Sequence, residues 1–267
     1  MAKKQILLTN DDGIKSPGLW AAAEALAQLG YVTVAAPREQ SSGVGRSLPG
    51  TSDGIIKAET MLIHGKEWTV YAVGGTPAQS VLHAVLEIMP EPPDLVVSGI
   101  NYGENVATGI TISGTVGAAI EAASMGIPSL AMSLETSHDK HLSYDTDVDF
   151  STAAYFTTHF ANRLLEKKFP EDLMLMKVDV PSDATPQTPW QIARLSRRRY
   201  YFPVKPERES WDIPGKVGYR EHPEMELETP DTDVYVLRAL RHVSVVPLSL
   251  DMTSRIDFDV LDGMLRK

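Results

Sequence analysis

Two adjacent carboxylates, Asp11 and Asp12, follow an apolar run in the stretch "ILLTNDDGIKSPGL", residues 6–19. Side-by-side negative charges repel, and keeping both ionised requires a cation. The pair therefore reads as the anchor of a metal, against the alternative that one Asp closes a turn while the other is solvated, since Asp-Asp-Gly is ordinary turn chemistry. Ser42 in "REQSSGVGRS" and Asn101 after "DLVVSGI" fall at the ends of neighbouring apolar runs and favour the metal. The candidate donors are all oxygens, with neither His nor Cys, which suits hard Mg²⁺ or Mn²⁺ better than zinc. The second stretch with chemical content is "SGINYGENVATGITISGTVGAA", residues 98–119. Gly103, Gly109 and Gly114 permit a loop of inward-facing amides, and the helix opened by Ser113-Gly114-Thr115 offers free N–H groups and a positive dipole end to a phosphate. The plainer alternative is that these glycines turn the chain and Ser113 caps the helix. On the phosphate reading, Gly114→Val should crowd the anion and leave the metal ligands in place.

The elements that must hold these residues alternate between strand and helix. "QILLT" reads as a buried strand, Ser16 as an N-cap with Pro17 at the first helical position, and the helix "PGLWAAAEALAQLG" should stop at Gly30. "YVTVAAP" is the second strand, and "MLIHG" and "EWTVYAV" are two short strands joined across Gly65-Lys66. Thr76-Pro77 repeats the cap-plus-proline device before "PAQSVLHAVLEIM"; "DLVVSGI", the helix "GTVGAAIEAASMG" and the strand "PSLAMSL" follow. A helix around residues 149–168 and the strand "LMLMKVDV" complete the series. This alternation predicts an α/β fold, a mostly parallel doubly wound sheet covered on both faces. In such sheets ligands gather outside the carboxyl ends of the strands, where all the candidate residues lie. Beyond residue 190, proline and charge predict a projecting hairpin and long loops rather than core.

Composition limits the partners. The 267 residues carry 25 Lys plus Arg against 35 Asp plus Glu, a net −10 that repels nucleic acid and anionic membranes. An anionic substrate then needs local help from a metal or from backbone amides. The absence of cysteine excludes disulfides and thiolate chemistry and fits a reducing cytoplasm. The N-terminal "MAKKQILLTNDDG" has too few apolar residues for a signal-peptide core, and "VGAAIEAASMGIPSLAMSL" is broken by Glu121, Gly126 and Pro128, so a helix, turn and strand are expected rather than a membrane span. Neither G-x-G-x-x-G nor a Walker loop is present.

Taken in order, "ILLTNDDGIKSPGL", "APREQSSGVGRSL", "GGTPAQSV", "PDLVVSGINYGEN" and "SGTVGAA" resemble the motif set of the SurE family, survival proteins that act as metal-dependent 5′-nucleotidases. The motifs span residues 6–119, and "LMKVDVP" and "TDVYVLRALRHVSVVPL" extend the likeness to about residue 248. The resemblance implies a Rossmann-like catalytic domain over residues 1–190 and a C-terminal oligomerisation portion over 191–267, containing the hairpin arm, a returning helix and strand, and the tail. It implies hydrolysis of nucleoside monophosphates to nucleoside and phosphate. It also implies one divalent ion per subunit held by Asp11, Asp12, Ser42 and Asn101; on mechanistic grounds, Asp11 or Asp12 could also orient the attacking water or take its proton. Asn105 and Ser113-Gly114-Thr115 are implied to surround the phosphate, in a homodimer or homotetramer. Two positions depart from the pattern: Ile112 stands where many members have tyrosine, and Ala107 where many have glycine.

Other clusters have blander readings. His138, His141, Asp145, Asp147 and Asp149 in "TSHDKHLSYDTDVDF" suggest a second metal, yet a solvated loop leading to a helix is preferred because the histidines lack helical spacing. The basic-aromatic run "RLSRRRYYFPVKPER" resembles a nucleic-acid stacking platform, but the net charge favours a hairpin used between subunits. In the tail, Met252, Ile256, Val260, Leu261 and Met264 recur at helical spacing, a stripe for a second subunit to cover. The rival functions are a non-catalytic nucleotide-binding or signalling α/β module and a haloacid-dehalogenase-type phosphatase. The last needs a D-x-D nucleophile that Asp11-Asp12-Gly13 does not supply.

Overall fold

The structure is a computed structural model and describes residues 3–137, 140, 147–221 and 224–266. Six parallel strands form its centre: β1 (Lys4–Thr9), β2 (Gly30–Pro37), β4 (Lys66–Val73), β5 (Leu95–Tyr102), β6 (Ser129–Leu134) and β7 (Leu175–Val180). β3 (Ile56–Ile63) pairs antiparallel with β4 as a hairpin, β11 (Val243–Leu248) pairs antiparallel with β7, and β8 (Trp190–Ile192) lies outside β11. The order across the sheet is β3-β4-β2-β1-β5-β6-β7-β11-β8. A separate two-stranded sheet joins β9 (Tyr201–Val204) to β10 (Gly218–Glu221), the hairpin expected from the proline-rich segment.

Strand alternation decides which helices each residue meets. In β1, Ile6 and Leu8 face α1 (Pro17–Leu26) and α4 (Ser151–Glu166), while Leu7 between them joins α2 (Pro77–His83) and α3 (Gly114–Ser124) on the other face. A strand buried on both faces must be apolar throughout, which explains the unbroken "ILL". Each such side chain contributes about 1.5–3 kcal/mol of burial. On the side of β11, α5 (Asp233–Arg238) adds Val236 to a third cluster containing Val246 and Leu248. Among the described residues no helix is long and apolar enough to cross a membrane.

Local signals explain most boundaries, with three differences. α1 ends at Leu26, four residues before the expected Gly30, because Gly30 already pairs with Lys4 in the β1–β2 ladder and residues 27–29 must make the turn. Ser16 occupies the N-cap position, but its buried hydroxyl makes no hydrogen bond; Pro17 at the next position presets the helix instead. Beyond α2 the chain continues in a wider turn over Ala84–Ile88, with Met89 N reaching back five residues to Ala84 O at 2.9 Å. At the start of α2, the Thr76 hydroxyl accepts from Gln79 N at 3.2 Å and Gln79 Oε1 accepts from Thr76 N at 3.0 Å, a complete capping box.

Candidate metal and phosphate site

The chain runs outward from β1 to β2 and the β3–β4 hairpin, then returns to lay β5 on the opposite side of β1. The crevice at the carboxyl ends of β1 and β5 is thus the topological switch point, where the loops leave in opposite directions. Asp11 and Asp12 follow β1 on one lip; Asn101 lies in the last turn of β5 on the other. The β5 ladder with β6 shifts register between Ser98 and Asn101. Gly99 makes this possible: its φ is +130° and a Cβ there would meet Met132 O at 2.3 Å.

Asn10 closes the turn after β1, not either aspartate. Its Nδ2 donates to Gly13 O at 3.2 Å and its Oδ1 accepts from Gly13 N at 3.1 Å. Asp11 and Asp12 are therefore left over from the turn, yet they are 4% and 1% exposed. Asp11 Oδ1 accepts from the Thr115 hydroxyl at 2.5 Å, while Asp12 is approached by Gln40 Nε2 at 3.3 Å and Tyr102 N at 3.4 Å. Burial pushes Asp11 above the usual carboxylate range against the pull of Thr115 and the Gly114 and Thr115 amides. Burial and the neighbouring Asp11 charge push Asp12 well above it. Two like charges thus stand side by side out of water, a repulsion that a divalent cation would relieve.

The neutral donors stand nearby. Asn101 Nδ2 donates to Tyr102 O at 3.1 Å and Gly103 O at 2.7 Å, which commits both its hydrogens and leaves Oδ1 as an acceptor. Ser42 is exposed in the loop after β2, beside Ser41, whose N–H donates to Asp11 O at 2.7 Å. Among the described residues no group of three or more His, Cys, Asp or Glu is positioned for a metal. A metal centre here would combine two carboxylates with neutral oxygens, a hard-cation donor set that would fit Mg²⁺ or Mn²⁺.

The helix end meant for phosphate abuts the acid pair. Ser113 caps α3 by accepting from Val116 N at 3.1 Å. A Cβ on Gly114 would stand 2.7 Å from Asp11 Cβ and 2.8 Å from its Oδ2. Gly114→Val therefore cannot separate phosphate from metal, contrary to the expectation from sequence, because the side chain strikes Asp11 first. Thr115 likewise turns both its hydroxyl and its N–H toward Asp11, so an anion here would share these groups with the carboxylate.

Asn105 enters from the loop after β5, with Nδ2 donating to Ser133 Oγ at 2.9 Å at the end of β6. Its neighbour Glu104 is held by the root of the hairpin arm: Tyr200 Oη donates to Glu104 Oε1 at 2.5 Å and Tyr201 Oη to Glu104 O at 2.8 Å. Burial pushes Glu104 up to about 7, against the Tyr200 hydrogen bond and Arg238. Its Oε2 is buried without a hydrogen-bond partner. Tyr200 is 1% exposed, so the tyrosines of the basic run grip this loop and are not an open stacking platform. Ala107 holds φ +54°, a left-handed backbone that glycine adopts freely, and this accounts for the glycine common there. His138, His141 and Asp145 lie outside the described residues; Asp149 Oδ1 accepts from Ser151 N at 2.8 Å at the start of α4.

Sequence reading missed Gln40, Ser133 and Glu104, and missed three charged residues under Asn105: Lys177, Asp179 and Asp233. The last group had a signal. Lys177 and Asp179 stand two apart inside the apolar strand "LMKVDV", so both project from one buried face.

Comparison with known proteins adds an independent line. The family model described as Survival protein SurE matches residues 6–202. A protein of Thermococcus gammatolerans named 5′-nucleotidase SurE is 44% identical over 262 residues, covering 98% of this chain and 96% of the relative. One of Archaeoglobus fulgidus with the same name is 41% identical, covering 97% and 96%. The crystal structure of SurE protein from Aquifex aeolicus superposes with TM-score 0.75 at 30% identity, covering 98% of this chain and all of that one.

Proposed function

We propose, on the premise that the chain belongs to the SurE family and is a 5′-nucleotidase, that Asp11, Asp12, Ser42 and Asn101 hold one Mg²⁺ or Mn²⁺ per subunit and that Asn105 and the Ser113-Gly114-Thr115 segment bind the phosphate of a nucleoside monophosphate. The observation that carries this reading is the division of labour after β1: Asn10 closes the turn, and two buried aspartates remain beside the amino end of α3.

When bound, a divalent cation supplies Lewis-acid polarisation of a phosphoryl oxygen and lowers the pKa of water. The chain's own groups do the rest. The N–H groups at the start of α3 and the Asn105 carboxamide hold phosphate oxygens where charge develops. Asp11 or Asp12 orients the attacking water and takes its proton. Water oxygen bonds to phosphorus as the P–O bond to the nucleoside breaks, and the electron pair departs on the nucleoside oxygen, which takes up a proton from solvent. Thr115 keeps the Asp11 carboxylate from rotating away.

The same reading extends to assembly and location. A helix, α6 (Phe258–Leu265), has no buried residue, and Phe258, Val260, Met264 and Leu265 are all more than half exposed. An eight-residue helix is marginal alone in water. A second copy of the chain is its cover, in a homodimer or homotetramer. A chain without cysteine and with net charge −10 suits a reducing cytoplasm and does not select nucleic acid as partner.

Asp11→Asn and Asp12→Asn test the site. Each should lower turnover of a nucleoside monophosphate with Mn²⁺ by about 100-fold or more, since even residues outside the ligand set cost about 10–100-fold. Stability without metal should hold or rise as a like charge is removed, and the melting shift produced by Mn²⁺ should shrink. A variant that keeps full turnover and the full shift removes that aspartate from the site.

A further inference from the structure

A lysine with no access to solvent lies directly beneath Asn105. Lys177 and Asp179 project from one face of β7, and Asp233 reaches in from the first turn of α5; all three side chains are 0% exposed. Lys177 Nζ donates to Asp179, to Asp233 Oδ2 at 3.2 Å and to the Asn105 carbonyl oxygen at 2.8 Å, so its three protons are all placed. Asp179 Oδ1 in turn accepts from Asn105 N at 2.7 Å. Both main-chain polar groups of Asn105 therefore end on charged side chains. Two residues on, Ala107 N donates to Asp233 Oδ2 at 2.9 Å, and this bond secures the left-handed turn. The second oxygen of Asp233 accepts from Ser196 N at 2.9 Å and Val234 N at 3.0 Å.

Stability of the sheet does not call for this cluster. One ammonium against two carboxylates sums to −1, buried, and replacing buried ions by apolar side chains is often neutral or stabilising. What charged partners do better than apolar ones is fix a loop, because charge-assisted hydrogen bonds are stronger and more directional than neutral ones. The ammonium is kept charged: burial alone pulls Lys177 down, but Asp179 and Asp233 hold it above the ordinary lysine value. The cluster spends that charge on the backbone of Asn105, whose carboxamide reaches the Ser133 hydroxyl at the end of β6.

We propose that Lys177, Asp179 and Asp233 are positioning residues that hold the Asn105 loop in the geometry that engages the substrate phosphate. This rests on the reading of Asn105 as a phosphate ligand. The three residues touch neither substrate nor metal; they act through the peptide groups of Asn105 and Ala107.

Asp179→Asn and Asp233→Asn each change the buried sum from −1 to 0, so neither strands an additional charge, and each tests the clamp if the other variant does not accumulate. Each should raise KM for a nucleoside monophosphate and the inhibition constant of inorganic phosphate by about tenfold or more, the equivalent of one lost charge-assisted hydrogen bond. The melting shift produced by Mn²⁺ should stay at its wild-type value, because the acid pair is untouched. Asn105→Ala, measured beside them, reports on the premise. If Asn105→Ala weakens phosphate inhibition while both clamp variants lose only thermal stability, the cluster is scaffold and the proposal is overturned with the phosphate reading intact. If Asn105→Ala itself leaves phosphate inhibition unchanged, the phosphate reading fails and the proposal fails with it.

Discussion

Glu104→Gln should make the protein less sensitive to alkaline pH. In the native state Glu104 is 2% exposed and burial lifts its carboxyl from 4.5 to about 7, against the Tyr200 hydroxyl and Arg238. Between those two values the native protein retains a proton that the unfolded chain has released, so stability falls as pH rises through the interval. The contribution is complete below about 4.5 and gone above about 7. At about 1.4 kcal/mol per pH unit, the shift corresponds to on the order of 3 kcal/mol. Glutamine keeps an oxygen to accept from Tyr200 and never acquires the buried charge. The assay is urea unfolding followed by tryptophan fluorescence at pH 4.5 and pH 8, at one protein concentration because assembly contributes to apparent stability. The difference between variant and wild type cancels every other titrating group. It should move in favour of the variant by on the order of 3 kcal/mol from the lower to the higher pH. A difference that stays constant across the interval, or moves the other way, refutes the assignment of a protonated Glu104.

Other outcomes follow from the same structure. Ala107→Gly should stay within about 1 kcal/mol of wild type in urea midpoint, because relief of the left-handed backbone offsets glycine entropy and a lost buried methyl; Ala107→Val, β-branched at the same φ, should lose about 2 kcal/mol or more. Glu135 bonds Arg238 Nη1 at 2.6 Å, Arg241 Nη1 at 2.9 Å and Ser182 N at 2.9 Å, and although burial pushes its carboxyl up, these partners hold it at about 2. Its contribution is present above about 4.5 and lost as pH falls through about 2, so Glu135→Gln should cost on the order of 1–3 kcal/mol at neutral pH and flatten the acid limb of the unfolding profile. Deleting residues 251–267 should leave a monomer in sedimentation at micromolar concentration; an oligomer that survives the deletion assigns the interface elsewhere.

Central strands were legible because burial on both faces demands continuous apolar runs such as "QILLT" and "DLVVSGI". β3 was legible only at its end, "MLIHG": an edge strand keeps polar residues on its open side, and its first residues, Ile56–Thr60, carry no run to detect. Thr76 announced its cap through Pro77, and Gln79 completes the box; Ser16 is also followed by proline but has Leu19 where the box needs Gln or Glu, and its hydroxyl is unused. At the site, Asp11 and Asp12 stand out because adjacent carboxylates are electrostatically costly. The closeness of Gly114 to Asp11 does not stand out, since only the fold sets residues so far apart in sequence where a Cβ on one would stand 2.7 Å from the Cβ of the other. Lys177 was read as part of an ordinary strand; its buried charge needed the position of Asp233, supplied by a helix more than fifty residues away, to make sense.

β11 lies between β7 and β8, and this has a consequence for how the polypeptide is made. β8 is complete when residue 192 is joined, but among the described residues its only ladder partner is β11, beginning at Val243. About 50 further residues must be added first, which at 5–20 residues per second takes roughly 3–10 s on the ribosome. Through that interval the margin of β7, apolar at Leu175, Met176, Val178 and Val180, has no neighbour on one side. An open apolar strand margin is a template for pairing with another nascent chain. Release of the polypeptide before residue 243 would leave both carboxylates and the start of α3 in place on an unfinished sheet, a product for quality control to remove rather than a smaller enzyme.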